Sequence, residues 1–480
     1  MNTSWARTEM EGARVFDRRR ITSLTTLCEK LEVNAGQSFS AACGPAARQA
    51  AHRIFKHPRI RPVDLLHGHY QETARRCAAL PLVLVAQDTS EFDYGSHPAT
   101  TGLGPTNDSP RGWGLFGHAA LALTPAGEPL GLLHLDLWAR DPQSLGKKHQ
   151  RQHKRTDEKE SRKWGDGHAA VEAAVPEGPA VLLIQDRESD VFAFLARPRR
   201  PGLEFLVRAY HPRSVTVPPA AEAPAAPNPG KVGKTGKAGK QPATRKLQEV
   251  AAAAPVVAEL TVTVAARPGQ PERQARLWIR MARVRVQRPA QLAREVAVTE
   301  QELWVLRATE QDPPPGVRRV DWVLLTTGPV PDGEHAGQLV QYYARRWGIE
   351  RLHYTLKTGL RVERLQIDDF ASLRNALALH YVVAWSLLQI THQARTTPEA
   401  APDLVLTPTE HTVLEHALHR PLRTLREAVR AIAKLGGWED YPSAGEPGVL
   451  SLWRGLSRLA ALTEGWELAH QRLDGVSQKL

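Results

Sequence analysis

The sequence predicts a mixed α/β protein: a sheet with helices on its faces, a β-rich insertion, and helical segments at both ends. Three observations carry this. Between residues 81 and 207 the pattern runs strand, hairpin, helix, strand, helix, strand, which suits a mixed sheet covered by helices. Between 256 and 306, short stretches alternate apolar with polar residues at period two. Before residue 75 and after residue 372, apolar residues recur at helical spacing.

Arg18, Arg19 and Arg20 precede a helical run, Ile21 to Leu31. A second run, Pro45 to Phe55, carries Arg48, His52 and Arg53, with Lys56, Arg59, Arg61, Arg75 and Arg76 beyond it. A small helical bundle with a basic face is a common DNA-binding module. For any single arginine, a solvated helix surface is the simpler account. Leu82 to Ala86, bounded by Pro81 and Gln87-Asp88, reads as a buried strand. Phe116 to Leu123 and Leu130 to Trp138 flank the turn signal Pro125-Ala126-Gly127-Glu128, so a hairpin follows. Lys159 to Ala174 reads as a helix. Ala180 to Ile184 reads as a strand that delivers Asp186, then Asp190 to Ala196 as a short helix and Leu203 to Val207 as a strand.

Pro218 to Pro255 is rich in Ala, Pro, Gly and Lys and too poor in apolar residues for a core, so a disordered tract is expected. Val256 to Val264, Leu277 to Val286 and Leu303 to Leu306 then read as strands, and Val320 to Leu325 as a return to the main sheet. Gly337 to Lys357 reads as one long helix. From Ser372 to Leu480 the pattern is mostly helical, with a loop from Gly436 to Gly448.

Composition narrows the function. The 480 residues exceed one ordinary domain, and 42% hydrophobic content allows a sizeable core. Lys plus Arg number 63 against 51 Asp plus Glu, and the net charge of +12 suits a polyanionic partner. Cys28, Cys43 and Cys77 form no C-x-x-C, which argues against a disulfide framework or a structural zinc site. The N-terminus lacks an apolar signal core, and no apolar run approaches the roughly 18 residues of a membrane span. The expectation is a soluble cytoplasmic protein with no membrane association.

Two acids stand at the ends of expected buried strands, Asp88 and Asp186. Parallel neighbouring strands would bring them to one sheet edge, where α/β sites form. Two close carboxylates repel unless a cation lies between them, and hard divalent ions prefer oxygen ligands. Either Asp alone is equally a strand-end turn residue. Tyr343, Arg346, Glu350 and Lys357 sharpen the pattern. At roughly 100° per residue they project within about 60° of one another on a single helix. Such a face offers a metal ligand in Glu350 and phosphate-holding cations in Arg346 and Lys357. An exposed helix with incidental ion pairs is the plainer alternative.

These residues resemble a known family. The Y-x2-R-x3-E-x6-K signature stands as Tyr343, Arg346, Glu350 and Lys357. Gln87-Asp88-Thr89-Ser90 resembles the first acidic motif, and Asp186-Arg187-Glu188-Ser189-Asp190 the second. Asp157-Glu158-Lys159-Glu160-Ser161, with Lys163-Trp164, is also similar to family sequence. The chain resembles the DDE transposases of the IS-four insertion-sequence family, whose familiar member is the Tn-five transposase. The resemblance implies an RNase H-like catalytic domain over 76–212 and 319–371, interrupted by a β-rich insertion over 213–318 that holds the tract 218–255. It implies a helical DNA-end-binding domain over 1–75 and a helical dimerisation region over 372–480. Asp88, Asp186 and Glu350 would be the catalytic residues and would bind two Mg²⁺ (or Mn²⁺) ions. Tyr343, Arg346 and Lys357 would hold phosphates. Trp322 would stack on a base flipped from the DNA end, with Trp347 as a second wall. Arg208 lies in a segment similar to one near the DNA end, and Arg19 and Arg20 would contact the end. Ser23 stands where the family usually carries an arginine.

The implied activity is cut-and-paste transposition: binding of terminal inverted repeats, cleavage through a hairpin, and joining of 3′ ends to target DNA by a homodimer in a synaptic complex. The implied setting is the bacterial cytoplasm, with the protein on the nucleoid. The alternatives are an RNase H-fold DNA nuclease without strand transfer and a non-catalytic DNA-binding inhibitor of transposition. A two-carboxylate glycosidase fits the basic charge poorly.

Overall fold

The computed structural model of the chain describes residues 4–34, 39–107, 109, 112–145, 155, 158–175, 177–218, 244–264, 272–441 and 445–477. Asp157 and residues 219–243, named above, lie outside these.

The helices α1 (Trp5–Met10), α2 (Arg18–Val33), α3 (Phe39–Ala42), α4 (Pro45–Phe55) and α5 (Pro62–Ala78) come first. Next are β1 (Leu82–Asp93), β2 (Gly104–Pro105), β3 (Trp113–Leu123), β4 (Pro129–Trp138) and α6 (Arg162–Ala174). β5 (Ala180–Gln185), α7 (Phe192–Leu195), β6 (Leu203–Arg208), β7 (Ser214–Thr216), β8 (Arg245–Lys246), α8 (Leu247–Ala253) and β9 (Val256–Val264) follow. β10 (Arg273–Gln287), β11 (Glu300–Glu310), β12 (Asp321–Thr326), α9 (Gly333–Arg345) and α10 (Trp347–Tyr354) precede the C-terminal helices. Those are α11 (Phe370–Thr396), α12 (Pro408–Leu418), α13 (Leu425–Leu435) and α14 (Val449–Ser477). Local chemistry sets several boundaries. Asp17 accepts from the Arg20 amide at 3.0 Å to cap α2, and Asp369 from the Ser372 amide at 2.8 Å to cap α11. Pro45 and Pro62 open α4 and α5, where a missing N–H costs nothing. Thr407 with Glu410, and Thr424 with Glu427, form capping boxes on α12 and α13.

Contacts divide the chain into two compact units: Met1–Gln152, Gly167–Pro179 and Arg346–Leu480, and His153–Asp166 with Ala180–Arg345. This division follows packing, and it cuts across the segments expected from sequence.

In the first unit β1 pairs antiparallel with β3, and β3 with β2 and β4. β3 is buried along nearly its whole length. α11 is buried on almost every side, as an all-round apolar helix must be. Asn375 on α11 donates to the Phe55 and Ile60 carbonyls, each at 3.0 Å, and ties the C-terminal half to the N-terminal helices. α13 and α14 cross with backbones nearly touching. A Cβ on Gly436 would lie 1.8 Å from the Ser451 carbonyl oxygen, and one on Gly455 1.7 Å from that of Ile432, so both positions demand glycine.

In the second unit the strand order is β5-β6-β12-β11-β10-β7-β8, with β9 also on β10. β5 and β6 are parallel, and β12 lies antiparallel between β6 and β11. Val320 to Leu325 thus does return to the sheet that β5 and β6 begin. β9, β10 and β11 form an antiparallel ribbon.

Two expectations fail locally. The tract from 218 to 255 is not wholly without structure: Arg245–Lys246 pair with β7, and α8 buries Leu247, Val250 and Ala251. Its last turns carry enough apolar residues on one face, which the tract's mean composition concealed. Gly337 to Lys357 is not one helix. α9 ends at Arg345, α10 starts at Trp347, and Lys357 lies in a π-helical turn, Thr355–Gly359. Among the described residues no helix is long and apolar enough to cross a membrane.

Candidate active site

Asp88 does not end its strand. β1 runs on to Asp93, because Thr89 to Phe92 keep pairing with β3, and Asp88 sits opposite Ala119. Its side chain is 20% exposed, and Oδ1 accepts from the Thr89 amide at 2.8 Å. Arg346 reaches it from the start of α10, with Nη1 3.7 Å from Asp88 Oδ2. The same guanidinium donates through Nη2 to Glu350 Oε1, one helical turn further on. One cation therefore stands between two carboxylates from distant parts of the chain. That is the electrostatic condition under which two acids share a site.

His353 closes this group and was missed in the sequence. Its Nδ1 is 4.0 Å from Asp88 Oδ2, and its Nε2 is buried without a partner among the described residues. Burial, then the charges of Lys357 and Arg346, push its pKa down to about 3, so the ring is neutral at physiological pH. Its signal was its spacing, three residues after Glu350 on the same helix. Tyr381 of α11 meets the His353 ring edge-on at 6.2 Å. A Cβ on Gly117 would come within 2.8 Å of the Tyr381 hydroxyl, so only glycine lets β3 and α11 approach here.

Asp186 follows β5 directly, as expected. It is half-buried, and its Oδ1 accepts from the Glu188 amide at 2.8 Å. Glu188 takes an ion pair from Lys163 at 2.9 Å. The second aspartate of the same motif behaves differently. Asp190 is fully buried and accepts from the Tyr210 and His211 amides at 2.7 and 2.9 Å and from Arg213 Nε and Nη2 at 2.9 and 2.7 Å. It is a structural clamp for the segment after β6.

The break at Arg346 limits the single-face arithmetic. Arg346 and Glu350 share a face, and Lys357 lies beyond them in the π-helical turn, where its charge still reaches His353. Lys357 pairs with Glu363 at 3.4 Å and lies over the Phe92 ring at 5.6 Å. Tyr343, on α9, is 5% exposed and packs edge-to-face on Trp322 with ring centroids 5.3 Å apart. Among the described residues no three His, Cys, Asp or Glu side chains gather closely enough to hold an ion, and the Glu350 carboxylate lies on Arg346.

Three family descriptions match the chain. Residues 2–60 match "Transposase DNA-binding", 228–387 match "Transposase DDE domain", and 382–474 match "Transposase Tn5 dimerisation domain". The chain is a Tn5-like DDE transposase. The matched DDE segment contains Trp322, Tyr343, Arg346, Trp347, Glu350 and Lys357; Asp88 and Asp186 fall outside all three segments. DDE transposases generally use divalent metal ions, and an all-oxygen pair such as Asp88 and Glu350 suits a hard cation. Among solved structures, the "Cryo-EM structure of piggyBac transposase synaptic complex with hairpin DNA" is similar at 8% identity and a TM-score of 0.31, over 68% of this chain and 51% of that one. The similarity spans about half the length of that protein's chain.

The remaining candidate residues of the transposase differ in readiness for DNA. Arg19 is exposed, within the matched DNA-binding segment. Arg20 is partly committed: Nη1 donates to the Val15 carbonyl at 3.2 Å, and Nε lies 3.6 Å from Asp17. Arg48, His52, Arg53 and Arg59 are exposed, and Arg59 lies 4.9 Å from the ring centre of Phe16, itself 59% exposed. Trp347 is 41% exposed. Arg208 is half-buried and donates to the Asp321 carbonyl at 3.3 Å.

Proposed function

We propose that this transposase cuts its element out of DNA and pastes it elsewhere. The single observation that carries the reading is the convergence of Asp88 and Glu350 on Arg346, in a chain with matched DNA-binding, DDE and dimerisation segments. The catalytic part is RNase H-like, over 76–212 and 319–371, with an insertion over 213–318. Residues 1–75 bind the inverted repeats of the transposon end, and 372–480 join two copies in a synaptic complex. The work is done in the cytoplasm of a bacterium, on the nucleoid.

Asp88, Asp186 and Glu350 are the residues that would hold two Mg²⁺ or Mn²⁺ ions. Bound there, such ions activate the attacking oxygen and neutralise the leaving one. Arg346 would turn from the two carboxylates to a phosphate near the scissile bond, with Lys357 beside it. Tyr343 would hold a phosphate with them and packs against Trp322, whose indole would stack on a base drawn from the end. Trp347 would be a second wall for that base, Arg208 would lie near the DNA end, and Arg19 and Arg20 would touch phosphates of the repeat.

In the reaction, water attacks a phosphodiester and frees a 3′-hydroxyl at the transposon end. That hydroxyl attacks the opposite strand, which releases flanking DNA and closes a hairpin. Water opens the hairpin, and the 3′-hydroxyl then attacks target DNA. Each step is an in-line displacement that makes one P–O bond and breaks one.

The purified full chain, given Mg²⁺ and a duplex with the gene's flanking inverted repeats, should yield nicked, hairpin and joined products in turn. Cut but never joined DNA would favour the nuclease alternative. No cutting by the wild type would leave the inhibitor alternative. Full cutting by Asp186→Ala would remove the three-acid mechanism.

A further inference from the structure

A cavity of about 310 Å³ opens beside Lys357 in the first unit. Lys357, Arg361 and Arg364 line it from the turns after α10, and Trp453 and Arg454 line it from α14. We propose that this cavity is a phosphate-binding subsite for a DNA strand, built jointly by the end of the catalytic helix and by the helix of the dimerisation segment. The proposal rests on the transposase reading above and extends it to residues that reading does not use.

Charge is the first argument. The cavity gathers Lys357 and three arginines against one acid, Glu363. That acid is already engaged by Lys357 at 3.4 Å and by the Asp93 amide at 3.0 Å. Among the described residues Arg361, Arg364 and Arg454 have no ion-pair partner, and all three are exposed. Guanidiniums held together without carboxylates repel one another, and an anion with several acceptor oxygens relieves that.

Construction is the second. Arg361 adopts the left-handed region at φ 50°, which non-glycine residues seldom occupy, so its place on the rim is imposed by the surrounding fold. Trp453 is 6% exposed, and its indole N–H is buried with no acceptor among the described residues. With Leu450 it gives the cavity an apolar wall, which strengthens attraction between the rim cations and a bound anion. Gly455 seats α14 against the Ile432 carbonyl, so Arg454 is carried by a rigid crossing of helices. The helix in the dimerisation-matched segment thereby also presents a cation beside Lys357.

The test uses the full chain and two fluorescent duplexes, one with the inverted repeat and one of random sequence. Affinity is measured over a salt series, because each lost phosphate contact lowers the slope of log K against log salt by about 0.9. The double variant Arg364→Ala/Arg454→Ala should lose about one to two units of slope. Arg454→Gln alone should lose about 0.9, and Arg454→Lys, which keeps the charge, should keep the wild-type slope. A loss confined to the repeat duplex assigns the subsite to the transposon end; an equal loss on both assigns it to flanking or target DNA. Unchanged slopes in the double variant and in Arg454→Gln, on both duplexes, overturn the inference while leaving the function standing. A wild type that binds neither duplex overturns both together.

Discussion

Asp88 and Asp190 are aspartates with opposite fates. Asp190 has no exposed surface and is surrounded by two backbone amides and a two-pronged arginine. Asp88 keeps a fifth of its side chain exposed, and its Oδ2 faces Arg346 at 3.7 Å, beyond hydrogen-bond length. A carboxylate whose lone pairs are filled by fixed donors holds a fold together. One that faces a cation shared with a second carboxylate is placed to exchange that cation for another.

The sharpest way to break this contrast is to remove each acid. In the proposed role as ligands to a catalytic ion, which carry several kcal/mol of transition-state stabilisation, Asp88→Ala or Glu350→Ala should lower DNA cleavage by about a thousandfold. The melting temperature should shift by little. Asp190→Ala should do the reverse. It leaves Arg213 buried and unpaired, at a cost of about 3–5 kcal/mol in chemical denaturation. If Asp190→Ala is as stable as wild type, the structural role assigned to it is wrong.

A smaller effect sharpens the same point. Arg346→Ala should slow cleavage about tenfold to a hundredfold while leaving the protein folded, and Arg346→Lys should restore only part of the rate, because lysine lacks the fork that spans two acceptors. Equal rates for Arg346→Ala and wild type in single-turnover cleavage would show that the shared guanidinium is decoration.

The smallest effect concerns a buried acid far from the chemistry. Glu32 accepts from Trp5 Nε1 at 2.7 Å and from the Ser386 hydroxyl, and burial raises its pKa to about 7. A carboxyl raised in the fold binds its proton more tightly than in the unfolded chain. Its contribution is therefore full below the ordinary carboxyl range and lost as pH rises through about 7. Urea midpoints across pH 5 to 8 should fall for wild type, and Glu32→Gln should flatten that trend. Glu9 has the opposite sign. Burial alone would raise it, but His69 and Arg76 hold it below its ordinary value, so its contribution is lost as pH falls through the carboxylate range.

Much of the fold was legible in the residues. β3, β4, β5, β6, β9 and α4 fall within a few residues of the runs read from the sequence, because a continuous apolar run, a two-residue alternation or a helical period marks each of them along the chain. Asp88 was read at a strand end because Gln87-Asp88-Thr89-Ser90 is polar. The polar run nevertheless stays in β1, because β3 supplies backbone partners through Gly114. The one-helix reading of 337–357 failed for a related reason. Nothing local forbids a continuous helix there, and neither the break at Arg346 nor the π turn at Lys357 has a signal in the local sequence. His353 stood in plain view on the face of Glu350, but a histidine is usually core, and only its 4.0 Å approach to Asp88 distinguishes it.

The sequence by itself determined the residue types of the site, the order of elements that carries them, and the basic charge that calls for a polyanion. These depend on period, propensity and spacing along the chain, which are local. The tertiary structure alone decided which acid became a clamp and which faced a shared cation, and that Arg454 and Lys357, nearly a hundred residues apart, line one cavity. Such outcomes depend on contacts between segments distant in the chain, and no local rule specifies them.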